Sequence, residues 1–115
     1  MLEITQTAEQ GLLRIALKGD ITSASAPQLE QALAASFQGT SSPRWLLDLE
    51  ALSFTSSAGL RVFLSYAKKI KNAGGRLVLC GVQASVLEVL EMSGFTQILT
   101  LAPTADDARR LLAQA

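Results

Sequence analysis

The stretch Ser53-Phe54-Thr55-Ser56-Ser57-Ala58-Gly59-Leu60-Arg61 sets two adjacent serine hydroxyls where a strand-like apolar run gives way to a helical one. Hydroxyls at such a junction can do three kinds of chemistry. They can attack a substrate as a nucleophile, cap the first turn of a helix, or accept a phosphoryl group.

A serine nucleophile needs a base, and the 115 residues include no histidine. That removes a Ser-His-Asp triad, a Cys-His pair and every histidine-containing metal site. The single cysteine, Cys80, excludes an intrachain disulfide framework and suits a reducing compartment. It lies in an apolar run and reads as a small buried hydrophobe. A GxSxG elbow and a GxxxxGK[ST] phosphate loop are both missing. Carboxylate chemistry or a Ser-Lys pair stays formally open but would need convergent groups. The expectation is a protein that is not an enzyme and holds no cofactor or metal.

Capping and phosphate acceptance remain. A serine at a helix start accepts a hydrogen bond from a first-turn N–H, worth about 1 kcal/mol. The pattern places Ser57 at or beside the N-cap of a helix over 58–72. Three hydroxyls (Thr55, Ser56, Ser57) stand where one cap is needed. Ala58 and Gly59 leave the approach open, and Gly59 costs up to about 1 kcal/mol in a helix, a sacrifice that makes sense if something must come close. Free N–H groups and the helix dipole favour an anion there, so the fold would tolerate a phosphate on Ser57. Arg61, four residues on, lies on the same side. Val62 and Tyr66 read as lying off the inward stripe near the Ser57 end, open to a partner or packed against neighbouring segments. Lys68, Lys69 and Lys71 complement the dipole at the far end.

The elements that must position these groups follow from composition and period. A hydrophobic fraction of 49% suffices for one core, and a net charge of zero supplies no global field for nucleic acid or acidic lipid. No apolar run approaches the roughly 20 residues needed to cross a bilayer. MLEITQTAEQ has no basic stretch followed by an apolar one, so no signal peptide is expected and a cytoplasmic domain is.

Residues 2–7 alternate as a short edge strand. After a turn at AEQG, Leu13, Ile15 and Leu17 face one way, and Gly19-Asp20 closes the hairpin. Ser25 reads as an N-cap with Gln28 three residues later and Pro27 in the first turn, leading a helix that buries Leu29, Ala32, Leu33 and Phe37. RWLLDLE (44–50) is apolar on both sides, as a strand in a covered sheet is, and is read as ending at residue 49. From Ala58 the period turns helical, with Leu60, Phe63, Leu64, Ala67 and Ile70 inward and Gly74-Gly75 as terminator. RLVLCGV is a buried strand, 84–92 a helix stopped by Gly94, TQILTL a short strand, and Thr104 caps a last helix with Asp107 at its third position. The order ββαβαβαβα predicts one α/β domain: a mostly parallel sheet of four to five strands with an antiparallel N-terminal edge strand and about four helices.

LLDLEALSFTSSAGLRVFL resembles the signature of STAS domains, specifically of the small bacterial anti-sigma factor antagonists. KGDITSASAPQLEQAL is similar to that family's segment before the first helix. IKNAGGRLVLCGVQASVLEVLEMSGF is similar to its third strand, third helix and MSG segment, so the resemblance spans almost the whole chain. It implies a stand-alone switch in transcription regulation. The unphosphorylated form binds an anti-sigma factor that is also a serine kinase, releasing its client. Phosphorylation of Ser57 dissolves the complex, and a PP2C-type serine phosphatase restores the active form. Asp20, Thr22, Ser56, Ser57, Gly59, Arg61, Val62 and Tyr66 are then expected on the partner-binding surface. Relatives often carry an aspartate where Ser56 stands, and Thr22 occupies another family acid's position while Asp20 keeps the acid after the glycine. The protein is expected to be monomeric when free, with no direct nucleic-acid or membrane contact. The alternative is an accessory STAS subunit of a membrane transport complex.

Overall fold

A computed structural model describes residues 1–38, 41–94 and 99–114. Strands β1 (Leu2–Glu9) and β2 (Leu12–Ile21) are followed by helix α1 (Ala26–Phe37), β3 (Arg44–Thr55), α2 (Ser57–Asn72), β4 (Arg76–Cys80), α3 (Ala84–Met92), β5 (Thr100–Ala102) and α4 (Ala105–Ala113). The order is the one the periodicity predicts. The sheet runs β1-β2-β3-β4-β5, antiparallel between β1 and β2 and parallel elsewhere.

Alternation along the strands sends side chains to two different covers. Trp45, Leu47, Leu49 and Leu52 of β3 join Ile15, Leu17, Leu77 and Leu79 beneath α1, α2 and α3. Leu46, Val78, Cys80 and Ala102 point the other way and are covered by Ala108 and Leu112 of α4. This is why RWLLDLE is apolar on both sides: β3 is sandwiched. Within the larger core, Trp45 stacks on Tyr66 at 5.8 Å between ring centres, and Phe37 meets both rings edge-on.

Helix α2 ends as the paired glycines require. Gly74 has φ +80°, and the Gly75 N–H reaches back to the Ile70 carbonyl at 2.8 Å. Thr104 caps α4, accepting from the Asp107 N–H at 3.1 Å.

Four features differ from the sequence reading. First, β3 continues to Thr55, so EALSFT is strand. It carries an extra residue against β2 at two places, between Asp48 and Ala51 and between Leu52 and Phe54, and these bulges break the period-two signal. Second, β2 runs through Gly19-Asp20 to Ile21. Gly19 is not a turn: it sits in the strand at φ +102°, and a Cβ there would overlap the Met1 carbonyl. Third, Ser25 occupies the N-cap position of α1 without a side-chain cap; its hydroxyl instead accepts from the Thr22 N–H at 2.8 Å, and Gln28 donates to the Leu2 carbonyl at 3.2 Å. Fourth, β5 begins at Thr100, and residues 96–98 of the expected strand lie outside the described residues.

Candidate functional site

The site is built where β2 and β3 end together and α2 begins. Ile21 pairs with Thr55 as the last rung of the parallel ladder, and the Ser56 N–H then donates to the Ile21 carbonyl at 2.7 Å. Ser56 keeps extended backbone (φ −80°, ψ 171°), and its hydroxyl accepts from the Gly59 N–H at 3.3 Å. Ser56 is therefore the N-cap of α2. Ser57 is the first helical residue, exposed, and its hydroxyl has no hydrogen-bond partner among the described residues. The expected cap at Ser57 thus moves back by one residue. The physical reason is the length of β3: the strand bond to Ile21 holds Ser56 extended, which is the conformation a cap needs.

Gly59 is also corrected. It is buried, and a Cβ on it would overlap Thr55 Oγ1 and stand 2.8 Å from Ile21 Cγ2. The close approach that its missing side chain permits is to the chain's own strand ends, so Gly59 is not an open landing for a partner.

Tyr66 is corrected with it. It is 1% exposed, stacked on Trp45, with its hydroxyl donating to Glu30 Oε1 at 3.1 Å. Burial, then Glu30, pushes its pKa up to about 12. The wider face of α2 that carries it turns toward α1 as well as the sheet, so a position read as off-stripe lies inside. Val62 is half-buried against the same core.

The remaining residues cluster as follows. Asp20 pairs with Phe54 one rung before Ile21, and its Oδ1 accepts from the Met1 ammonium at 2.8 Å. Thr22 follows Ile21 directly and is held in a tight exchange with Ser25. Asp20, Thr22, Ser56 and Ser57 are therefore brought to one end of the sheet. Arg61 is exposed on α2 with no ion pair among the described residues. At the far end, Lys69 lies over the Tyr66 ring at 4.5 Å from its centre, in the last turn of the helix.

Sequence reasoning passed over Phe54, which is 49% exposed at this same end of β3. Ser53 and Ser85 were also missed: the Ser53 hydroxyl donates to Gly19 O and the Ser85 hydroxyl to Ser53 O, both at 2.9 Å. They lash the end of β3 to β2 and to the start of α3. The signal for Phe54 and Ser53 was the continuing strand, hidden by the bulges.

No group of three or more metal-ligating side chains occurs among the described residues, and no helix among them is long and apolar enough to cross a membrane. Cys80 is buried beneath α4, and burial followed by Asp48 pushes its pKa up to about 11. What the site offers chemically is one free hydroxyl at a capped helix start, with a helix dipole behind it and a cation four residues on.

Comparison with known proteins agrees with this fold. BtrV of Bordetella bronchiseptica, which carries the provisional name of anti-sigma factor antagonist, is 41% identical over 93% of this chain and 91% of its own length. The anti-sigma F factor antagonist of Paenibacillus polymyxa is 28% identical over 87% of this chain and 86% of its own. The crystal structure of an anti-sigma factor antagonist from Mycobacterium paratuberculosis superimposes with a TM-score of 0.89 at 24% identity, covering 99% of this chain and 96% of that one. The family model described as the STAS domain matches residues 3–108, and the chain belongs to the STAS domain family.

Proposed function

We propose that the protein is an anti-sigma factor antagonist that acts by partner switching. Its unphosphorylated form binds an anti-sigma factor that is also a serine kinase. Phosphorylation of Ser57 ends the binding, and a PP2C-type phosphatase reverses it. The reading includes a cytoplasmic setting, and its antagonist part is supported by the names of the two relatives.

The single observation that carries it is the state of Ser57: exposed, unpartnered among the described residues, and at the first position of α2. A phosphate there adds roughly −1.5 to −2 charge. In the free protein that charge meets first-turn N–H groups and the positive end of the helix dipole, so the fold accepts it. In a complex the same charge would be desolvated. A penalty of about 3 kcal/mol weakens binding on the order of 100-fold, enough to exchange partners without unfolding anything.

Incubation with the serine-kinase anti-sigma factor of the same genome and ATP, followed by mass spectrometry, is the test. Phosphate on Ser57 and loss of the complex are expected. An unmodified chain, or a complex that survives modification, would refute the reading.

A further inference from the structure

Ser56 and Ser57 are adjacent and chemically identical, and the structure treats them differently. We infer that Ser56 is the positioning residue that makes Ser57 the phosphate acceptor: its hydroxyl is held as the helix cap in a register locked by Gly59, and Ser57 alone is left free. The inference deepens the partner-switching reading and rests on it for the modification, though not for the cap.

The lock has three parts. The Ser56 N–H is bonded to Ile21 O at 2.7 Å, which anchors the residue to the end of β2. The Ser56 hydroxyl takes the Gly59 N–H at 3.3 Å. Gly59 itself is packed so closely on Thr55 and Ile21 that a side chain cannot stand there. If the helix start slipped by one residue to make Ser57 the cap, Leu60 would have to occupy that space, and its Cβ would overlap Thr55 Oγ1 and crowd Ile21 Cγ2.

The cap also disarms Ser56 as a nucleophile. Its oxygen would have to leave the first turn, stranding a Gly59 N–H that the buried glycine offers poorly to water. Ser57 pays no such penalty. In the transfer, Ser57 Oγ forms a new bond to the γ-phosphorus of ATP as the bond to the bridging oxygen breaks. ADP leaves, and the hydroxyl proton passes to a base of the kinase.

Relatives that place an aspartate at this position would keep the cap, since a carboxylate accepts the same bond. Here the cap is neutral, so Ser56 itself places no charge beside the acceptor.

The test uses the intact protein in two arms. Amide exchange at Gly59 reads the cap without any kinase. Ser56→Ala should speed it about fivefold, whereas Ser57→Ala and Ser56→Asp should leave it within about twofold of the parent. Site mapping after incubation with the serine-kinase anti-sigma factor and ATP reads the consequence. The parent and Ser56→Asp should carry phosphate on Ser57, and Ser57→Ala should carry none on Ser56. Equal acceleration by Ser57→Ala, or phosphate moving to Ser56 in that variant at the parental rate, overturns the inference. A chain unmodified at every serine, with Gly59 exchange still responding to Ser56→Ala alone, refutes partner switching and upholds the cap.

Discussion

The Ser56 amide donates to the Ile21 carbonyl at 2.7 Å, and through that one bond the end of β2 sets where α2 begins. The helix start is thereby part of the sheet. Its neighbour Ser57, the first helical residue, is thereby placed with its exposed hydroxyl at the end of the sheet.

Ser57→Asp should weaken binding to the anti-sigma factor, and Ser57→Ala should retain it. Calorimetric titration should show an affinity loss on the order of 100-fold for the aspartate only. Equal affinities would remove the charge-switch mechanism.

Gly59→Ala should destabilise the protein by about 2–3 kcal/mol, because the new methyl overlaps Thr55 Oγ1 and crowds Ile21 Cγ2. Urea denaturation measures it. Thr55→Ala in the same chain should recover part of the loss by opening the space; a double variant no more stable than Gly59→Ala would contradict the packing account.

Tyr66 makes the alkaline limit of stability specific. Its folded pKa, about 12, is raised above the ordinary value of 10 by burial and Glu30, so the neutral phenol is favoured in the fold. The stabilisation it brings is complete below pH 10 and lost as pH rises toward 12. Tyr66→Phe should be less stable than the parent at pH 8 and lose less stability between pH 10 and 12. Parallel alkaline denaturation curves for the two proteins would be the contrary result.

Helix α4 is held over Cys80 by an ion pair and a hydrogen bond as well as by Ala108 and Leu112. Arg109 grips both carboxylate oxygens of Glu9, at 2.9 and 3.1 Å, and Arg76 donates to the Leu111 carbonyl near the helix end at 3.0 Å. The Arg109 bond holds the Glu9 carboxyl below its usual pKa, so this clamp is present at neutral pH and loosens as Glu9 protonates in acid. Arg109→Ala should remove roughly 1 kcal/mol and speed thiol labelling of Cys80 about fivefold at pH 8. Unchanged labelling would show that the Arg109–Glu9 pair does not hold α4 down.

Much of this architecture was legible because burial writes a period into the sequence. Leu60, Phe63 and Ile70 announced α2, the two-sided apolarity of Trp45 to Leu49 announced a covered strand, and Thr104 with Asp107 announced the cap of α4. Gly74-Gly75 and Gly94 marked helix ends, since left-handed backbone is cheap only for glycine. The sequence alone therefore determined the order of elements and drew attention to the serine pair.

It could not divide the labour between Ser56 and Ser57, because both residues satisfy every local rule for a helix start. That division depends on where β3 stops, and β3 is prolonged by bulges whose extra residues are visible only against β2. Burial of Tyr66 and the need for glycine at position 59 were decided in the same way, by α1 in one case and by Thr55 and Ile21 in the other. Local periodicity reports which face of an element is apolar. Which neighbour fills that face, and how close it comes, is a contact between residues far apart in the chain, and only the tertiary structure contains it.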